Sequence, residues 1–232
     1  MAKKSYIGVD SKARKIKKWY VGVDSKARKV KKGYIGIGGV ARPFMSGGEL
    51  AYYGTITALS RARNALAGAS VGNYALFAGG YSGSSYLSTV DAYNSSLVRS
   101  TPTDLSRTRN ALAGASVGDY ALFAGGYNGS RLSIVDAYNS SLVRRTPTDL
   151  SRTRSGLAGA TVGNYALFAG GSNHSSYLST VDAYDSSLVR STPTDLSQVR
   201  TGLAGATVGD YALFAGGLND SARLSTVDAY VV

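Results

Sequence analysis

Cysteine is absent from this 232-residue chain, which excludes disulfides, thiolate metal sites and a cysteine nucleophile. Redox logic therefore assigns no compartment. Histidine occurs once, at His174 in the turn Ser172-Asn173-His174-Ser175, where a lone imidazole is ordinarily solvated surface. Four prolines against 29 glycines indicate many tight turns. No stretch approaches the roughly 20 apolar residues of a membrane-spanning helix, so no span is expected. The start, Met1-Ala2-Lys3-Lys4-Ser5-Tyr6, is followed by no long apolar run, so no secretory signal is expected either. Hydrophobic residues make up 44%, ordinary for a soluble globular protein with one substantial core and a small appendage.

Lysine is missing from Ser46 onward, and that absence divides the chain. Residues 1–45 hold 13 Lys and Arg against two Asp; residues 46–232 hold 13 Arg against 12 acids. Nearly all of the net charge of +12 sits on the first fifth, which sets a domain boundary there.

What the second part has in abundance is itself. Tyr-Ala-Leu-Phe-Ala-Gly-Gly recurs at Tyr74, Tyr120, Tyr165 and Tyr211, in steps of 46, 45 and 46 residues. Val-Asp-Ala-Tyr recurs at Val90, Val135, Val181 and Val227, and Thr-Pro-Thr-Asp-Leu-Ser at Thr101, Thr146 and Thr192. A fixed period of this length means an array of supersecondary units. Each unit reads as four short strands: residues 65–71, 74–78, 89–93 and 97–101, the last stopped by Pro102. Strands of this length with short turns predict propeller blades.

The unit resembles a kelch repeat. A hydrophobic strand runs into Gly79-Gly80, a Val-x-x-Tyr strand follows at Val90 to Tyr93, then an outer strand, then an Arg such as Arg109. The resemblance covers the chain from about Ala51 to the end. It departs from the family where a Trp usually follows the Tyr; here stand Leu97, Val98 and Arg99, and the only Trp is Trp19. The resemblance implies an all-β fold, a four-blade kelch-like β-propeller over residues 46–232. A strand at residues 51–58 is expected to close it by pairing onto the last unit, which stops after its third strand. An eight-blade ring from a strand-swapped dimer is the other closure the sequence allows, because near-identical blades accept any copy's strand. The small strand Ala-Leu-Ala-Gly-Ala suits blades packed face to face.

Residues 1–45 carry a second repeat with a 14-residue step. Tyr6 to Lys18 returns almost unchanged as Tyr20 to Lys32, and a shortened copy starts at Tyr34. Asp-Ser-Lys and Ile-Gly-Gly fall where turns belong between β-prone residues, so the segment reads as short basic β-hairpin repeats. It resembles amino-terminal segments of tail-associated structural proteins from phages of Gram-positive bacteria. That resemblance implies docking onto virion tail proteins, through Tyr6, Lys15, Lys17, Trp19, Tyr20, Lys29, Lys31 and Tyr34. The protein would then be made in the bacterial cytoplasm and end in the virion. Against this stands an intracellular module whose basic arm binds nucleic acid through phosphates, with affinity falling steeply with salt.

Motifs of catalysis are not found: no calcium loop, no phosphate loop with Lys, no serine elbow. The chain is expected to be no enzyme and to need no metal or cofactor. Asp91, Asp136, Asp182 and Asp228 recur with every unit, as do Arg63, Arg109, Arg154 and Arg200, which marks both sets as structural. The copies disagree after each double glycine. There stand Tyr81, Ser82 and Tyr86; Tyr127, Asn128 and Arg131; Asn173, His174 and Tyr177; Asn219, Asp220 and Arg223. Equivalent loops of a repeat array gather on one face, and these residue types make adaptable binding surfaces. The expected partner is a host cell-surface glycan or protein. A homo-oligomer, or a self-assembling fibre or lattice, follows from swap-prone identical units.

Overall fold

A computed structural model describes residues 52–232 in full and, of the first 51, the backbone of six short strands. The chain falls into two compact units, residues 1–56 and 57–232. The boundary lies about ten residues beyond the one set by charge. Among the described residues every regular element is a β-strand, and no helix is long and apolar enough to cross a membrane.

The first unit contains three antiparallel pairs. β1 (Gly8–Val9) pairs with β2 (Lys12–Ala13), β3 (Tyr20–Val23) with β4 (Lys26–Lys29), and β5 (Lys32–Ile37) with β6 (Val40–Ser46). Two residues separate the strands of each pair, the length a hairpin favours. Pro43 in β6 faces Tyr34 beside a register shift between Gly33 and Tyr34, where a missing N–H is tolerated.

The second unit is a stack of four antiparallel sheets. The first comprises β7 (Ala67–Val71), β8 (Tyr74–Ala78), β9 (Val90–Asn94) and β10 (Arg99–Ser100), in that order. The second repeats it with β11 (Ala113–Val117), β12 (Tyr120–Ala124), β13 (Val135–Asn139) and β14 (Arg144–Arg145). The third has β15 (Ala158–Val162), β16 (Tyr165–Ala169), β17 (Val181–Asp185) and β18 (Arg190–Ser191). The fourth has three strands among the described residues: β19 (Ala204–Val208), β20 (Tyr211–Ala215) and β21 (Val227–Val231).

The sheets meet along their first strands: β11 lies against both β7 and β15, and β15 against β19. Three hydrophobic layers between the sheets replace a single core. In each, the downstream face of one sheet meets the upstream face of the next: Leu76, Val90 and Ala92 against Ala121, Phe123 and Tyr138; then Leu122, Val135 and Ala137 against Ala166, Phe168 and Tyr184. The third layer repeats the pattern with Ala212 and Phe214. The glycine in each first strand permits the approach. A Cβ on Gly114, Gly159 or Gly205 would come 2.3 Å from the backbone oxygen of Gly68, Gly114 or Gly159.

Two expectations need correction. The fourth strand of each repeat begins at Arg99, Arg144 and Arg190 and spans two residues, not the five from Leu97. Asn94 Oδ1 accepts from Ser96 and Val98 N–H, which turns the chain and puts Leu97 at φ +61°. The second concerns the closing strand at 51–58. Residues 52–59 form no strand, and β21 has β20 as its one partner among the described residues. The Thr57 carbonyl instead accepts from Tyr93 Oη at 2.8 Å, and the Ala58 carbonyl from Arg99. Thr103, Thr148 and Thr194 do the same for Tyr138, Tyr184 and Tyr230. Residues 57–63 thus copy the connecting segment that precedes every repeat, and their hydrogen bonds are committed to the first sheet.

Candidate binding face

Connecting segments are fixed by a buried polar network that repeats with each sheet. Arg63, Arg109, Arg154 and Arg200 reach Asp91, Asp136, Asp182 and Asp228 at 2.8, 2.7, 2.6 and 2.5 Å. The same Nη2 donates to the carbonyl of Phe77, Phe123, Phe168 or Phe214, tying arginine to the second strand as well. Each carboxylate also accepts the backbone N–H and hydroxyl of a serine: Ser60, Ser106, Ser151 or Ser197. Burial pulls the Arg109 and Arg154 guanidinium pKa below the ordinary range, opposed by the facing aspartates. Burial pushes the Tyr138 and Tyr184 phenols up, with the same aspartates adding to it. These groups are committed to structure.

The loops after the double glycines lie at one end of the sheets, between the second and third strands. Each closes on itself through an isolated bridge: Tyr81 with Tyr86, Tyr127 with Arg131, Ser172 with Tyr177, Leu218 with Arg223. Glycine at the pair has a conformational cause. Gly79 and Gly80 have φ +67° and +114°, and a Cβ on either would strike the Arg109 or Asn64 carbonyl oxygen at 2.5 or 2.7 Å.

Several of the variable residues come together. The rings of Tyr81 and Tyr86 sit 5.3 Å apart, and Tyr86 meets Tyr127 edge-on at 5.6 Å across the first and second repeats. The Arg131 guanidinium lies 5.6 Å from the Tyr127 ring centroid. Arg131 then lines a hollow of about 330 Å³ with Gly129, Ser130, Thr153 and His174, reaching the third repeat. Lost solvation, then the neighbouring Tyr127 and Tyr81, raise the Tyr86 phenol pKa. Gly129 and Ser130 belong to the variable loop between Asn128 and Arg131; sequence reasoning missed Thr153, which nothing but proximity in space marks.

Other expected residues serve their own turns. Ser82 Oγ accepts from Ser85 N–H, Asn173 Oδ1 from Ser175 and Ser176, and Asn219 Oδ1 from Ser221 and Ala222. Asn128 donates its backbone N–H to Ser130. Tyr177 is half-buried and Asp220 and Arg223 are exposed; none of the three joins the aromatic run. Of the expected docking residues, Tyr6, Lys15, Lys17, Trp19 and Lys31 lie outside the described residues. Tyr20 and Lys29 are backbone partners in the β3–β4 ladder, and Tyr34 is on β5.

Among the described residues no three His, Asp or Glu side chains are grouped to hold a metal ion. Three tyrosine rings, one guanidinium and an adjoining hollow offer flat apolar contact with a directional donor, an arrangement suited to binding. The chain matches no family model and no curated protein.

Proposed function

We propose that this chain is a non-enzymatic binding protein carried on a phage virion, whose variable loops contact a glycan on the host cell surface. The carrying observation is the run Tyr81–Tyr86–Tyr127–Arg131, which crosses two repeats at one end of the stack. Tyrosine faces pack against the C–H faces of sugar rings, and the arginine donates to hydroxyls beside them. The sheets are the blades of a kelch-like β-propeller in this reading. That is supported by their antiparallel order and by first-strand contact through glycine. The virion placement rests on the likeness of the Tyr6–Phe44 repeats to phage tail-associated segments and on their concentrated positive charge.

The test is titration of the full chain with solubilised glycans from Gram-positive cell walls, beside Tyr86→Ala and Tyr127→Ala. Each substitution should weaken binding by about tenfold or more, as removal of a central aromatic contact does. Absence of binding, or binding indifferent to both changes, removes the glycan reading. Capture of tail proteins by the full chain tests the virion placement separately.

A further inference from the structure

The two ends of the sheet stack expose the faces that are buried at every inner interface. Val71, Val117 and Val162 are 3%, 2% and 2% exposed under the following sheet, whereas Val208, at the same position, is 60% exposed. Tyr211, Val227 and Val231 share that downstream face of the fourth sheet and are likewise exposed. At the other end, Ala75 is exposed and Phe77 half-buried on the upstream face of the first sheet, where Ala121, Phe123, Ala166 and Phe168 are fully buried. An apolar sheet face that the described residues leave uncovered marks an interaction surface.

Backbone groups match as well. Ala111, Gly156 and Gly202 N–H donate to the carbonyls of Ala65, Ala111 and Gly156 in the preceding repeat, at 2.9 to 3.0 Å. Gly80, Gly126 and Gly171 N–H donate to the Arg109, Arg154 and Arg200 carbonyls of the following repeat. Among the described residues this leaves the Gly202 carbonyl and Gly217 N–H without these partners at one end, and Ala65 N–H and the Arg63 carbonyl at the other. Donor faces acceptor at both places once a first sheet is laid on a fourth.

We infer that the downstream face of the fourth sheet docks the first sheet of a second copy of this chain, through the interface that already joins consecutive sheets. The contact is head to tail. Two copies seated reciprocally form a ring of eight sheets, and one-way seating extends the stack. Neither depends on the glycan reading.

Gly68 provides the test. Its backbone does not require glycine, and a Cβ there meets the Phe77 ring at 3.6 Å, an ordinary contact. At each inner interface the equivalent Cβ would lie 2.3 Å from a neighbouring carbonyl oxygen. The native mass of the full chain should rise with concentration to two chains or more. Gly68→Ala should raise the dissociation constant by about tenfold or more, because a closed sheet interface has no room for the methyl. The dilute variant should keep the wild-type circular dichroism spectrum and unfolding midpoint. A wild type that stays monomeric at high concentration overturns the inference, as does assembly that survives Gly68→Ala. A monomer destabilised by that change overturns it too, since the first sheet would then be seated on its own chain's fourth.

Discussion

Arg109 and Asp136 lie 2.7 Å apart with both side chains fully buried, joining a connecting segment to the third strand of its own repeat. Removing one member leaves the other charge without its partner in a dry interior, whereas replacing both leaves an apolar contact. Arg109→Met should lower stability by about 3–5 kcal/mol, read by urea unfolding, and Arg109→Met with Asp136→Leu should recover part of the loss. The Arg200–Asp228 pair, whose aspartate is 18% exposed, should cost less when broken.

Alkaline pH should destabilise the stack through its tyrosines. Burial pushes Tyr230 up to about 12 and Tyr138 and Tyr184 beyond their ordinary range, while each hydroxyl donates to a threonine carbonyl. The folded chain holds these protons more tightly than the unfolded chain, so their stabilisation is complete below about pH 10, the unfolded value. It is lost as pH rises from there through about 12. Urea midpoints should fall as pH rises from about 10 towards about 12, and Tyr138→Phe should make that fall shallower; an unchanged slope would refute the assignment.

One repeat position carries a natural comparison. Ala65 and Ala111 have φ +50°, and the equivalent Gly156 and Gly202 have φ +65° and +63°. A left-handed conformation strains alanine and suits glycine, so Ala111→Gly should stabilise by about 0.5–1 kcal/mol. The reverse change, Gly156→Ala, should cost about 1 kcal/mol or more. Its Cβ would also approach Thr201 Oγ1 to 2.6 Å. Opposite signs in thermal unfolding check the pair.

The repeat period and the second and third strands were legible because alternation and double glycines announce them. Val90–Asn94 lies within one residue of its expected bounds. The fourth strand was not, since Leu97 and Val98 carry β-prone side chains while the Asn94 side chain dictates a turn. Recurrence marked Arg109 and Asp136 as structural, yet their pairing across 27 residues needed the fold. The aromatic run was half legible: variation singled out Tyr81, Tyr86, Tyr127 and Arg131, but only packing brings adjacent repeats into contact. What sequence could not carry is the difference between Val162 and Val208, because neighbouring sheets, absent from any local pattern, decide their burial.

Close approach between first strands sets the spacing of the whole stack, and it depends on one atom per repeat. Gly159 lies between Gly114 and Gly205, and a methyl there would press on the Gly114 carbonyl from 2.3 Å. Backbone on both sides cannot rotate away as a side chain would. Gly159→Ala should therefore separate the second and third sheets and cost about 1–3 kcal/mol, the range of core overpacking. Loss should be concentrated at Ala113, Ala115, Ala166 and Phe168, which fill that layer. Hydrogen exchange should show faster amides in β11 and β15 than in β7 and β8. Uniform protection with an unchanged midpoint would mean that the strands tolerate a wider gap, and the glycines would then owe their place to something other than sheet spacing.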